Sequence, residues 1–260
     1  MKALLIDAGN SRIKWCLLQQ GRVGRRQAAP WTAVTLKRVA MRVLRNGGNV
    51  DAILVCSVAG QGVARALRRA ARHYDAVTPV FVHSERRAAG VTNGYREPWR
   101  LGVDRWVAMI GAHARFPRRD LCIVDVGTAM TVDLLDAGGR HHGGAIVPGP
   151  TLMVSALLAS TAQIRQRAGR SGTGRNDSRA ELFARSTRAA LRGGARYAAA
   201  GLVAQAMQRA RVRLGRRPLL LLAGGGAAAL ESTLPSPHRL LDDLVLRGLA
   251  VLAQAQAPTG

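Results

Sequence analysis

Leu4-Leu5-Ile6 is a continuous apolar run that ends at Asp7, and after Ala8-Gly9-Asn10-Ser11 the chain resumes with apolar residues at Ile13, Trp15 and Leu17 in alternation. A buried run, a Gly-polar break and a period of two predict a strand, a tight turn and a second strand. The pattern returns at Ile123-Val124-Asp125-Val126-Gly127-Thr128-Ala129-Met130-Thr131, where Val132 and Leu134 continue the alternation. Two copies of one strand-turn-strand unit predict an α/β protein of two related halves, roughly 1–115 and 116–260, facing one another across a cleft.

The intervening pattern fits that division. Residues 52–58 read as a buried strand, about 62–73 as an Arg-rich helix and 77–82 as the next strand. Val103, Val107, Ile110 and Ala114 follow helical spacing, which predicts that Asp104 and Arg105 face away from the core. In the second half, 143–147 and 218–222 read as strands, and 152–159, 186–213 and 244–254 as helices. Residues 169–178 (GRSGTGRNDS) have loop composition and are expected to be mobile.

Composition narrows the class. With 48% hydrophobic residues in recurrent runs, the chain can bury a core, which argues against a disordered protein. The net charge of +24 favours anionic partners in general, but Lys2, Lys14 and Lys37 are the only lysines and the arginines are spread along the whole chain, as a compositional bias would spread them. Cys16, Cys56 and Cys122 each lie in an apolar, strand-like run, so reduced, buried thiols and a cytoplasmic protein are expected. The apolar stretch before Asp7 is too short for a secretory signal, and the uncharged span 143–164 is broken by Pro148, Gly149 and Pro150, so no membrane segment is expected. The adjacent His141 and His142 are expected in a turn, and no zinc-ligand cluster is visible.

The strand-turn-strand units also suggest chemistry. A phosphate needs backbone N–H groups at close range, which a Gly-containing turn permits. Asp7 at a strand end suits a hydrated Mg2+, which keeps most of its waters and takes few carboxylates, while Asn10, Ser11 and Lys14 could reach phosphate oxygens. A single D-x-G-N is equally a hairpin whose Asp caps a turn. The second copy at Asp125-Val126-Gly127-Thr128, followed by Ala223-Gly224-Gly225-Gly226 after the apolar run 219–222, shifts the balance towards ATP.

These three pieces in order resemble the sugar-kinase, heat-shock-70 and actin superfamily, which implies two duplicated ribonuclease H-like (actin-like ATPase) domains with mixed sheets flanked by helices. Within it, 90–106 (GVTNGYREPWRLGVDRW) is similar to the G-V-x-N-x-Y…P…L-G-x-D-R-W signature of type III pantothenate kinases, also described as the Bvg accessory factor family. Residues 143–149 resemble the family's G-G-x-I-x-P-G element, and 186–190 the stretch bearing its substrate-contacting threonine. The resemblance implies ATP-dependent phosphorylation of pantothenate, with Asp104 as the catalytic base and Tyr95, Gly102, Val103, Arg105 and Thr187 beside it in the substrate site. It assigns Asp7, Ala8, Gly9, Asn10, Ser11, Arg12, Ile13, Lys14, Thr128, Gly224 and Gly225 to ATP, Asp7 to Mg2+ through water and Asp125 to a monovalent cation, K+ or NH4+. A homodimer is implied too. The chain departs from the family at Ile164-Arg165, where relatives usually carry Leu-Pro, and at Ser186, where many carry Asn.

Two other readings stand beside this one. The first is a basic accessory protein acting on gene expression through nucleic-acid or protein binding; no nucleic-acid-binding motif accompanies the charge, and aromatic residues make up only 4%. The second is a related kinase of another small metabolite. A sugar site would present several Asn, Asp and Glu side chains, and acidic residues are scarce here.

Overall fold

A computed structural model describes residues 1–168, 181–234 and 237–255; the 169–178 loop expectation lies outside them. Strands β1 (Lys2–Ala8) and β2 (Arg12–Gln19) form the first hairpin, in antiparallel register with Asp7 opposite Lys14. β3 (Arg22–Val23) and β4 (Gln27–Pro30) add to β2, and α1 (Leu36–Gly47) leads to β5 (Ala52–Ser57), which lies parallel to β1 with Cys56 beside Asp7. α2 (Gly60–His73) returns to β6 (Val80–Phe81), also parallel. Pro79 lacks a ladder donor, and the strand expected over 77–82 is accordingly this two-residue edge. A short hairpin, β7 (Arg87–Ala88) with β8 (Val91–Thr92), precedes α3 (Val103–Arg115).

The second hairpin is β9 (Leu121–Val126) with β10 (Ala129–Leu135), followed by β11 (His141–Pro148), α4 (Pro150–Ser160), α5 (Ala162–Ala168) and α6 (Thr187–Leu214). β12 (Leu219–Ala223) runs parallel to β9, β13 (His238–Leu240) parallel to β12, and α7 (Leu244–Ala255) closes the chain. The sheets are ordered β3-β2-β1-β5-β6, with β4 also on β2, and β11-β10-β9-β12-β13. Each has the same centre, an antiparallel hairpin whose first strand continues into a parallel neighbour. That is the duplication visible in the sequence.

Two compact units contain these sheets. The first gathers residues 1–118, 137–141 and the chain from 243 onward; the second gathers 119–136 and 142–242. The closing helix therefore belongs with the first unit rather than the second. Its packing explains why: α7 lies against α3, β1 and β5. At the α3–α7 crossing a methyl group built on Gly248 would stand 2.7 Å from Val107 Cγ1, and one on Gly111 would stand 2.8 Å from Gly248 N. Only a pair of glycines permits this backbone approach.

Both faces of the first sheet are covered, so its strands read as unbroken apolar runs. Leu4, Ile6, Ala8, Ile13 and Trp15 pack with Val39, Val43 and Leu44 of α1 and Val63 and Leu67 of α2. The oppositely directed Ala3, Leu5, Leu18 and Leu54 are also buried. α1 adds a helix to the elements expected from the sequence. In the second sheet, Cys122, Val124, Val126, Met130 and Val132 pack against Ala199, Val203 and Met207 of α6.

The histidine pair occupies the start of β11, not a turn. His142 Nε2 lies 2.7 Å from Asp136 Oδ2, and Arg213 Nε donates to His142 Nδ1 at 3.1 Å, which assigns the ring proton to Nε2. Among the described residues no helix is long and apolar enough to cross a membrane.

All three cysteines are free and buried on strands, as expected. Burial, with Asp243 second, pushes the Cys16 thiol up to about 12; burial, with Asp133 second, does the same for Cys122. Cys56 is raised well above the usual range by burial, then by Asp7 and Asp104. An unfolded thiol titrates near about 8.5, so the folded state retains protons that the unfolded state loses above that pH. The stabilisation is complete below about pH 8.5 and disappears as pH rises through the folded values. Melting temperature should therefore fall across that alkaline window, more in the wild type than in a Cys16→Ala/Cys122→Ala variant. At pH 8 a thiol-specific chromogenic reagent should react only after unfolding, and rapid labelling of the native protein would contradict the burial.

Candidate active site

Asp7 is the penultimate residue of β1, with its side chain 13% exposed and its Oδ2 3.5 Å from Lys14 Nζ. The pair is a consequence of hairpin register, since the two residues stand directly opposite. Gly9 N donates to Arg12 O at 3.0 Å to close the turn, leaving Asn10, Ser11 and Arg12 exposed. Trp31 braces the turn from β4's end: its Nε1 donates to Gly9 O at 2.9 Å and its backbone N to Ser11 O at 3.3 Å. No periodic signal pointed to Trp31. Ala8 and Ile13 are buried, so any contact from Ile13 to a bound molecule must come from its backbone.

The 90–106 segment is wired by a buried asparagine. Asn93 Nδ2 donates to Glu85 O at 3.2 Å and to Pro98 O at 3.1 Å, while its Oδ1 accepts from Tyr95 N at 3.0 Å. These bonds close the loop on both sides of Tyr95. Arg105 Nη1 donates to Tyr95 Oη at 2.9 Å, and its guanidinium carbon lies 5.7 Å from the centroid of that ring. Arg105 is only 5% exposed. It departs from the expected outward orientation because residues 105–112 of α3 are buried all round, leaving the helix no solvent face there.

Asp104 occupies the first turn of α3, where unpaired backbone N–H groups and the helix dipole favour a carboxylate. Its Oδ1 accepts from Arg105 N at 2.8 Å. A methyl group on Gly102 would stand 2.7 Å from that oxygen, so the glycine leaves the carboxylate its place. α3, which opens with Asp104, packs on β5, and Asp7 stands beside Cys56 in the β1–β5 register, at the carboxyl end of β5; both carboxylates add to the upward shift that burial imposes on the Cys56 thiol. In open α/β sheets that end of parallel strands is where ligands bind.

In the second unit, Asp125 is the penultimate residue of β9, beside Ala223 of β12, and Gly127 and Thr128 form an exposed turn. The Pro-Gly element docks there: Gly149 N donates to Thr128 O at 2.8 Å, and a methyl group on Gly149 would come within 3.0 Å of the same oxygen. Gly224 has φ +89°, and a methyl group on it would lie 2.5 Å from Val126 O. Both the conformation and the approach require glycine. Gly225 is exposed, with open space where a side chain would begin.

Thr187 opens α6 and lines an apolar cavity of about 590 Å3 with Met153, Leu157, Ile164 and Leu191. Neither Asp125 nor Thr128 lines it. The sequence departures near this cavity have structural reasons. Ser186 caps α6, its Oγ accepting from Ala189 N at 3.3 Å, a role Ser and Asn fill equally well. Arg165 Nε and Nη2 donate to Leu158 O and Ala159 O, each at 2.8 Å, and so satisfy carbonyls at the end of α4.

The repeated hairpin with its parallel neighbour and the Gly-rich end of β12 give the chain the actin-like ATPase and sugar-kinase class of fold. Among solved structures, the chain superposes with a TM-score of 0.58 on a protein assigned as a 2-dehydro-3-deoxygalactonokinase from Sinorhizobium meliloti, at 16% identity over 98% of this chain and 99% of that one. It superposes with a TM-score of 0.53 on the activator of 2-hydroxyisocaproyl-CoA dehydratase from Clostridium difficile with bound ADPNP, at 14% identity over 100% and 99% of the two chains. The chain belongs to the type III pantothenate kinase family, whose model matches residues 3–209. The type III pantothenate kinase of Verminephrobacter eiseniae is 37% identical over 97% of each chain.

Proposed function

We propose that the protein transfers the γ-phosphoryl group of ATP to the 4′-hydroxyl of pantothenate, the first step of coenzyme A synthesis. The observation that carries this reading is the placement, in a chain of this family, of Asp7 beside Cys56 at the carboxyl end of β1 and β5 and of Asp104 in the first turn of α3, a helix that packs on β5. The donor set fits Mg·ATP: a mostly buried carboxylate beside a lysine at an exposed turn suits a hydrated Mg2+ and its phosphates. Asp7 holds the ion through water, and Asn10, Ser11, Arg12 and Lys14 contact phosphate oxygens, with Gly9 allowing the approach. Thr128, Gly224 and Gly225 contact the nucleotide. When bound, Mg·ATP supplies the phosphoryl group and neutralises its developing charge.

Asp104 accepts the proton of the attacking hydroxyl, while Arg105, Tyr95, Gly102, Val103 and Thr187 orient pantothenate. In phosphoryl transfer, positioning contributes more than basicity, and an aspartate held at a helix start meets that demand. Asp125 holds K+ or NH4+. The chain acts as a cytoplasmic homodimer; support comes from α4, an apolar helix with no buried residue and with Leu157 45% exposed, and from the reduced thiols. Light scattering should report twice the chain mass, and a monomer at micromolar concentration would reject the dimer. Soluble-fraction recovery after cell lysis checks the location.

A coupled assay of ADP release should show turnover with pantothenate and not with sugars or acetate, and faster in K+ or NH4+ than in Na+. Turnover with a sugar alone would overturn the substrate. Equal rates in Na+ would remove the cation assignment.

A further inference from the structure

Tyr95 stands on a loop whose neighbours Gly94 and Arg96 are exposed, and it is itself only half-buried. An aromatic side chain so placed keeps rotamer freedom unless something holds its ring. Arg105 holds the hydroxyl end. The ring face is met by His141, whose imidazole lies within 14° of parallel at a centroid distance of 5.9 Å, inside the range of offset stacking.

His141 is well suited to hold a ring because it is itself fixed. It is 1% exposed. The segment 137–141 packs with the first unit, where Thr92 N donates to Gly139 O at 2.8 Å and Thr92 bridges Arg140. Gly139 packs so closely on Gly90 and His113 that a methyl group on it would lie 3.2 Å from Gly90 C and from His113 Cε1. The chain thus delivers an enclosed aromatic ring, anchored one and two residues upstream, against a residue whose hydroxyl is bonded to the buried Arg105.

We infer that His141 is a positioning residue for the acceptor substrate: by stacking on Tyr95 it fixes the Tyr95–Arg105 pair in the orientation that receives pantothenate. The inference rests on the functional reading above. It assigns His141 no proton transfer and no direct contact with the reacting atoms.

Steady-state kinetics of the full chain test it. His141→Ala should raise the KM for pantothenate about three- to tenfold, the range an aromatic pair accounts for, with a smaller change in kcat and none in the KM for ATP. His141→Phe, which keeps a flat ring, should return the pantothenate KM to within about twofold of wild type. In a Tyr95→Ala background, adding His141→Ala should raise KM no further, because the residue acts through Tyr95. An unchanged KM in His141→Ala, a His141→Phe variant no better than His141→Ala, or full additivity with Tyr95→Ala would each overturn the inference. Should His141→Ala fail to fold, His141→Phe against His141→Leu decides the same point, since Leu fills volume without a stacking face. Absence of pantothenate turnover in the wild type overturns the functional reading and this inference together; normal turnover with indifferent variants overturns the inference alone.

Discussion

Asp104→Asn should lower the turnover of pantothenate by about 10²–10⁴-fold, the usual contribution of a positioned general base, while the melting temperature stays near that of the wild type. The amide is nearly isosteric and its carbonyl can still accept from Arg105 N, so the first turn of α3 retains its bond. What is lost is the charge and the ability to take the hydroxyl proton. The KM for ATP should change little, because the nucleotide contacts are assigned to other residues. Single-turnover and steady-state ADP release check this, with circular dichroism reporting the fold. A variant that keeps wild-type kcat would remove Asp104 as the base.

Gly248→Val should destabilise the protein by about 3 kcal/mol, at the upper end of overpacking penalties, because the obstacle is backbone rather than a movable side-chain tip. The first added carbon would stand 2.8 Å from Val107 C, and the branched side chain adds two more carbons at the same crossing. α7 covers β1 and β5, so forcing it away from α3 also loosens the strand ends that carry Asp7 and Cys56. Urea denaturation should show a lower midpoint, and activity should fall together with stability. Gly194→Val offers a contrast: Gly194 lies inside α6 with open space where a side chain would begin, so the change should leave the midpoint unchanged or raise it slightly, valine being the better helix former. Equal midpoints for wild type and Gly248→Val would contradict the close packing of α3 and α7.

Much of the fold was legible because burial on both sheet faces writes itself as apolar runs. The two hairpins, their Asp-x-Gly turns and the buried strand expected over 52–58, which spans 52–57, were readable from residue order and period. The signature segment pointed to Asp104 and Arg105 as a pair. It did not reveal that Arg105 would be enclosed beneath Tyr95, because helical periodicity assigns an outward face and cannot tell when a second layer covers it. His141 was misread for a related reason: adjacent histidines after Gly138-Gly139 look like turn chemistry, whereas they begin a strand, and one of them stacks on a tyrosine 46 positions earlier in the chain.

Residue order by itself determined the duplicated strand-turn-strand units, the residues that end each strand and the family, because these depend on local pattern and short motifs. Tertiary structure alone decided that α7 returns to the first unit, that residues 137–141 pack beneath the loop bearing Tyr95, and that Asp7 pairs with Cys56 on the strand against which the Asp104 helix packs. The reason is physical. Hydrophobic period states that a surface must be covered but not by which distant segment; that choice belongs to shape, made here by glycines that let one backbone touch another.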